Sequence, residues 1–512
     1  MRILNRFINK KVSYSSVAVL MFSVVNGQNA GRITNINNNI VVILLDDVGW
    51  MDFGCYGSKF YETPNIDSLS AMGVQFTNCY ACPQSSPSRF SMITGINPAK
   101  KGLTRAIIPS DHITKNPSAT NWDDNKELYL ATPRILDELP ENIKTLPEYL
   151  KSAGYSTAMF GKWHLGSMKN NPPTKHGFDV YFGGSEGGPK SYFSPYGLEY
   201  LTDGPIGEHL DDRLTSESIN YLENHLKTNK EKPFFMYLNF YSTHEPWQAK
   251  PQLVDYFKSK SDIRNQQRNP FYAAMMSTID ANIGRVKDFL EKHDLLKYTI
   301  VILTSDNGGV TTMYGNYRDN PGFDRGYFPS GTTITSNEPL RGGKSTVYEG
   351  GIRVPAIVLM PGGLKNVKNN TQAAIWDWTP TILDALNFKI DKNSEIDGES
   401  LLQTIKTGEM QVRKPVFMHF PHYQIGYSDN PAKTNFINYP CTAIRKGDWK
   451  LIYSFETYPE LYNLSTDVRE EYNVADKYSN IVKELSEEIL QWLKLNGANL
   501  PLRNANYNQK FK

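Results

Sequence analysis

The sequence predicts an α/β protein with a large central, mostly parallel sheet flanked by helices, followed by a smaller α+β subdomain. Short apolar runs recur along the chain and end abruptly in polar, loop-forming residues, and amphipathic helical stretches separate them. Strands that alternate with helices argue a parallel sheet covered on both faces. After about residue 395 the texture changes to short strands joined by turns.

In chain order, Ile40-Val41-Val42-Ile43-Leu44-Leu45 is the first buried strand. Thr63-Pro64 reads as an N-cap followed by proline at the first helical position, with Gly73 placed to stop that helix. Thr157 to Phe160 is strand-like, and Phe234 to Leu238, Thr299 to Thr304 and Ala356 to Met360 read as buried strands of the parallel sheet. Met276, Ile279, Ile283, Val286 and Leu290 recur at helical spacing between two of them. Pro415 to Phe420, Thr442 to Arg445 and Trp449 to Tyr453 are expected as short strands, and a helix from about Ile481 to Leu495 closes the chain. The expected organisation is a leader over 1–28, an Asn-rich linker over 29–39, a main domain over 40–394, and a C-terminal subdomain with antiparallel sheet and terminal helix over 395–512.

The 512 residues carry a formal net charge of +2. Charges of both signs are interspersed, without the basic stripe that follows a nucleic-acid backbone, so no nucleic-acid partner is expected. The amino terminus has Arg2, Arg6, Lys10 and Lys11, an apolar stretch from Val17 to Val25, then Asn26-Gly27-Gln28. That is a signal-peptide profile, and the apolar run is shorter than the roughly 20 residues of a spanning helix. Export is expected, to the periplasm first of all, with secretion or the cell surface as alternatives. Cys55, Cys79, Cys82 and Cys441 are too few for a disulfide framework and read as buried thiols or one incidental disulfide.

Ligands of open α/β sheets sit beyond the carboxyl ends of the strands, so the residues that follow each strand carry the chemistry. The first strand runs into Asp46-Asp47, and a later one into Asp306-Asn307-Gly308. Adjacent carboxylates repel unless a positive charge sits between them, and Ca²⁺ or Mg²⁺ takes the carboxylate and amide oxygens that Asp46, Asp47, Asp306 and Asn307 supply. Either motif alone is explained as well by a turn or a helix cap; both at strand ends favour a metal. Lys162 and His164 follow the strand-like Thr157 to Phe160, His244 follows the strand ending near Tyr241, and Lys344 lies in Arg341-Gly342-Gly343-Lys344. Singly such residues are most often solvated or capping, whereas together at one pole they form an anion site in which histidine also moves protons.

Ser85-Ser86-Pro87-Ser88-Arg89-Phe90-Ser91-Met92-Ile93-Thr94-Gly95 reads plainly as a Ser/Pro turn entering a helix. It also resembles the signature of type I, formylglycine-dependent sulfatases of the alkaline phosphatase superfamily: Cys or Ser, any residue, Pro-Ser-Arg, and a Thr-Gly further on. Gly154-Tyr155-Ser156-Thr157-Ala158-Met159-Phe160-Gly161-Lys162-Trp163-His164 resembles the family's second signature. The resemblance runs from about Ile40 to Leu451. One departure is Ile96, where an arginine often follows the Thr-Gly.

The resemblance implies that Ser85 is oxidised to formylglycine (3-oxoalanine), as in the serine-type bacterial arylsulfatases, by an anaerobic radical S-adenosylmethionine sulfatase-maturating enzyme. It implies that Asp46, Asp47, Asp306 and Asn307 hold one Ca²⁺ with residue 85, that Arg89 holds the hydrated aldehyde, and that Lys162, His244 and Lys344 bind sulfate oxygens. By the same matching, the diol attacks sulfur, His244 with Lys344 helps the alcohol leave, and His164 takes a proton from the second diol oxygen. The expected substrate is a sulfated saccharide, a galactose or N-acetylhexosamine sulfate of host or algal glycans, attacked in the exo mode. Asp111-His112, Tyr192 in Ser191 to Tyr196, and His419 and His422 in His419-Phe420-Pro421-His422-Tyr423 have the polar and aromatic character of sugar sites and are expected to line the pocket. A phosphatase or phosphodiesterase of the same superfold is the nearest rival, but Lys162 and Lys344 stand where ligands of a second metal would be expected. A non-catalytic binder of sulfated glycans, with Ser85 never oxidised, is the alternative of another class.

Overall fold

A computed structural model describes residues 38–107, 128–184, 187–260, 266–311, 334–391, 394–426 and 435–507. The predicted leader, most of the predicted linker, and Asp111 and His112 lie outside them. Asn37–Lys512 forms one compact unit. The main sheet contains β1 (Asn39–Leu45), β2 (Val74–Tyr80), β3 (Ser156–Gly161), β4 (Val180–Phe182), β5 (Phe234–Asn239), β6 (Thr299–Ser305), β7 (Arg353–Leu359), β8 (Val367–Asn369) and β9 (Ala373–Ala374). Its spatial order is β9-β2-β7-β6-β1-β5-β3-β4, with β8 also paired to β2.

Side-chain alternation explains why these strands are apolar throughout. Ile40, Val42 and Leu44 of β1 enter one core while Val41, Ile43 and Leu45 enter the other, and β5 and β6 divide in the same way. Helix Pro270–Lys292 closes one face with Met276, Ile279, Ile283, Val286 and Leu290. The other face packs against α2 (Ser85–Thr94) and helix Trp378–Ala385, through Phe90, Met92, Ile93, Trp378 and Ile382.

Two sequence expectations are corrected. The run Ala356 to Met360 lies in β7, which ends at Leu359 and is antiparallel to both neighbours, β6 and β2. Its direction fits the described chain on either side: β6 ends at the carboxyl pole, Lys344 stands there against Asp47, and β7 runs back down from that pole. Thr63 precedes helix α1 (Pro64–Ala71) as expected, but its hydroxyl donates to Asp67 Oδ1 (3.1 Å) rather than capping the helix. Gly73 does follow that helix, and it also has a packing reason, because a Cβ there would meet Val358 O at 2.3 Å.

The C-terminal sheet is antiparallel, in the order β10 (Val416–Phe420), β11 (Cys441–Lys446), β12 (Trp449–Ser454), β13 (Glu460–Asn463). One face, with Val416, Met418, Ala443 and Ile452, merges with a core of the main sheet. The other, with Phe417, Ile444, Leu451 and Leu461, is covered by Leu485, Ile489 and Leu493 of helix Ser479–Leu495. The four cysteines are free thiols, three of them buried. Among the described residues no helix is long and apolar enough to cross a membrane.

Candidate active site

Strand ends bring the charged residues together. β1 delivers Asp46 and Asp47, β6 delivers Asp306 and Asn307, β3 delivers Lys162 and His164, and the segment after β5 delivers His244. Helix α2 begins at Ser85 and places Arg89 one turn on, so both side chains share a face. Lys344 arrives on the loop that precedes β7. Gly161 is required where β3 ends: its φ is +100°, and a Cβ would meet Asn239 O at 1.7 Å. Asp47, His164 and Ser345 also have φ of +62°, +57° and +68°. Left-handed backbone in non-glycine residues costs energy and gathers where surroundings enforce a geometry.

One carboxylate oxygen from each of Asp46, Asp47 and Asp306 lies within 4.8 Å of the others, and all three residues are buried. Ser85 Oγ lies 3.3 Å from Asp46 Oδ1 and 3.4 Å from Asn307 Oδ1, within reach of either acceptor. Asn307 Nδ2 donates to Asp47 Oδ1 at 2.8 Å, which turns its amide oxygen towards Ser85. Arg89, buried, donates twice to Asp306 Oδ2 at 2.7 and 3.1 Å and stands 3.6 Å from Asp46. Lys162 Nζ is 2.6 Å from Asp46 Oδ2, and Lys344 Nζ is 2.7–2.8 Å from the two carboxylate oxygens of Asp47.

The electrostatics follow from burial opposed by these contacts. Burial works to raise Asp46, but Lys162 and Arg89 hold it well below the usual carboxylate range. Asp306 is pushed up to about 7 by burial and by the charge of Asp46, against the pull of Arg89. Negative charge is thus crowded at the donor cluster, and three carboxylates with an amide oxygen are the donor set of a hard divalent cation. The residues fit such an ion. His164 is pushed well below the ordinary histidine range by burial and by Lys162 and Arg89. Its Nε2 faces Ile107 O at 3.0 Å, and a carbonyl only accepts, so Nε2 carries the hydrogen. Nδ1, which has no hydrogen-bond partner among the described residues, is left as a free base. His244 is lowered by burial, Lys344 and Lys162, and its Nδ1 donates to Glu245 O at 3.0 Å.

Sequence reasoning missed the supports. Gln84 joins Ser345 Oγ (2.9 Å) to Ala106 N (2.8 Å), and the backbone of Ile107 links Ser86 Oγ to His164. Buried Asp211 accepts from Ser242 Oγ at 2.5 Å in the turn that carries His244. No motif signals these residues, because their partners are distant in sequence.

The structure assigns packing roles to three residues expected on the pocket wall. Tyr192 is fully buried and donates to Tyr241 O and His244 O at 2.6 and 2.8 Å, so it supports the His244 turn from behind. His419, on β10, has both ring nitrogens occupied, by Thr442 Oγ1 (2.7 Å) and Asn499 O (2.9 Å). His422 is buried with Nε2 against Thr104 Oγ1 at 2.8 Å. Aromatic and imidazole side chains pack as readily as they bind sugar, and here packing wins.

The sulfatase family model matches residues 38–388, and a model described as N-sulphoglucosamine sulphohydrolase, C-terminal, matches residues 343–494. Similar curated proteins include arylsulfatase J of Mus musculus, 30% identical over 91% of this chain and 77% of that protein. N-acetylgalactosamine-6-sulfatase of Mus musculus is 31% identical over 74% of this chain and 68% of that protein. Among solved structures, Ps i-CgsB in complex with k-i-k-neocarrahexaose matches with a TM-score of 0.69 at 25% identity, over 92% of this chain and 94% of that chain.

Proposed function

Because this chain belongs to the sulfatase family and is a sulfuric ester hydrolase, we propose that it releases sulfate from sulfated carbohydrates, with residue 85 oxidised to formylglycine and one Ca²⁺ beside it. One observation carries the reading: Ser85 Oγ stands against Asp46, and Asp46 is at the same time 2.6 Å from Lys162. Residue 85 is therefore at the seam between a carboxylate cluster and a cationic one.

Asp46, Asp47, Asp306 and Asn307 would hold the ion. Bound there with the matured residue, it supplies positive charge at a side-chain oxygen and makes that oxygen easier to deprotonate. Lys162 and Lys344 neutralise the outer sulfate oxygens. His244, with Nδ1 committed to Glu245 O, turns Nε2 to the ester oxygen and delivers a proton to the departing alcohol. A bound sulfate opposes the lowering of His244 by adding negative charge beside it. His164 Nδ1, unprotonated, accepts a proton from the side-chain oxygen of residue 85. The net change is ester plus water giving alcohol, sulfate and a proton.

The relatives named for an N-acetylgalactosamine 6-sulfate activity and for a complex with a neocarrahexaose support a glycan substrate, and the candidate sugars are galactose or N-acetylhexosamine sulfates, attacked at chain ends. Export by the amino-terminal leader, and maturation by a radical S-adenosylmethionine enzyme, belong to the same proposal. Mass spectrometry of the peptide containing Ser85, from protein made with that enzyme, is expected to show the loss of two hydrogens; unmodified serine throughout sinks the formylglycine reading. Exhaustive chelation is expected to abolish turnover and added Ca²⁺ to restore it. Full activity in the chelated protein contradicts the metal assignment.

A further inference from the structure

Away from the reacting groups, Lys450 of β12 is fully buried between two glutamates. Its Nζ is 3.0 Å from Glu349 Oε1 and 2.7 Å from Glu470 Oε1, and both glutamate side chains are buried too. The second oxygen of Glu470 accepts the backbone N–H of Glu349 at 2.7 Å, and Glu349 Oε2 accepts from Tyr80 OH at 3.0 Å. Glu470 holds φ at +53°, a conformation that an L-residue keeps only when its surroundings enforce it. Apolar replacements of a buried ion cluster are often neutral or stabilising, so stability alone does not call for this one.

What the cluster grips is the loop that carries Lys344. Gly350 N donates to Arg341 O at 2.7 Å and closes the neck of that loop, and Gly308 N donates to Gly351 O at 3.0 Å, against the Asp306-Asn307 corner. Arg341 reaches Glu470 O and Tyr462 OH, both at 2.9 Å, and Tyr348 OH reaches Glu460 at 3.0 Å. The loop is thus fastened to the C-terminal sheet at Arg341, Tyr348 and Glu349, on both sides of Lys344.

We infer that Glu349, Glu470 and Lys450 are positioning residues for Lys344, through which the C-terminal sheet sets where that ammonium stands relative to residue 85. The inference rests on the reading of Lys344 as a sulfate ligand. A double-mutant cycle on the full Ca²⁺-loaded chain tests it, pairing Glu470→Ala with Lys344→Ala. Two quantities are read: kcat and KM for 4-nitrophenyl sulfate with matured protein, and the Kd for inorganic sulfate with unmatured protein, which needs no turnover.

Glu470→Ala is expected to weaken sulfate binding and lower kcat/KM by about 10–100-fold, largely through kcat. Glu470→Gln, which keeps size and an acceptor, falls between it and the wild type. In the Lys344→Ala background the same substitution changes either quantity by less than about twofold, because the group it acts through is gone. Equal losses in both backgrounds overturn the inference. If circular dichroism shows that the alanine variant is unfolded, Glu470→Gln enters the cycle under the same criterion. Absence of turnover in fully matured protein, with the sulfate-binding cycle still non-additive, counts against the sulfate-ester reading and supports the positioning role.

Discussion

At Asp46 two opposing forces meet, and their balance sets what the site tolerates. Burial disfavours its charge, and Lys162 and Arg89 restore it. Lys162→Met removes the ammonium 2.6 Å away and leaves Arg89 at 3.6 Å. Truncating one partner of a buried pair costs about 3–5 kcal/mol, and a lost electrostatic contact to the reacting group lowers kcat by about 10²–10³. The expected outcome is a folded protein with reduced Tm and kcat down by that factor; a change under about threefold in kcat contradicts the sulfate-binding role.

Asp211 gives a pH prediction outside the reacting groups. Burial pushes it up to about 7. A carboxyl raised on folding contributes stability below its unfolded value of about 3.9 and loses it as pH rises through the folded value. Asp211→Asn is free of that loss, so its Tm relative to the wild type rises between about pH 4 and 7 and then levels. A difference constant with pH contradicts the assignment. Residues of this kind were invisible in the sequence: Asp211, Gln84 and Glu470 matter through partners that no local pattern encodes. Asp46-Asp47 and Asp306-Asn307 were legible as a cluster because each follows an apolar strand, and neighbouring parallel strands bring their carboxyl ends together. Tyr192, His419 and His422 were misjudged because polar aromatic character does not tell a pocket wall from a packed interior.

Elements were more legible than contacts. Continuous apolar runs marked β1, β5, β6 and β7, because strands covered on both faces have no polar side to interrupt the pattern. The direction of β7 was not legible, since an apolar run reads the same either way; only the return of the chain through the Lys344 loop fixes it. The closing helix, expected from about Ile481 to Leu495, spans Ser479–Leu495, and the face it covers supplies an element-scale prediction. Ile489, fully buried against the C-terminal sheet, should cost about 2–5 kcal/mol on Ile489→Ala, seen as a lower denaturant midpoint. The kcat of the protein that stays folded is expected to be unchanged, and a lowered kcat with an unaltered midpoint contradicts a packing role.

For the whole molecule, the main sheet brings acidic and basic strand ends to one pole, and the C-terminal sheet shares its core and grips one of the loops that complete the site. The central claim is that this pole cleaves sulfate esters only once residue 85 is oxidised. Its most direct test is inorganic sulfate released from defined sulfated oligosaccharides by two samples, one co-produced with the radical maturating enzyme and one without it. Release by the matured sample alone, abolished by Ser85→Ala, is the predicted result; equal release by both samples, or none from protein whose Ser85 peptide is fully converted, would contradict it.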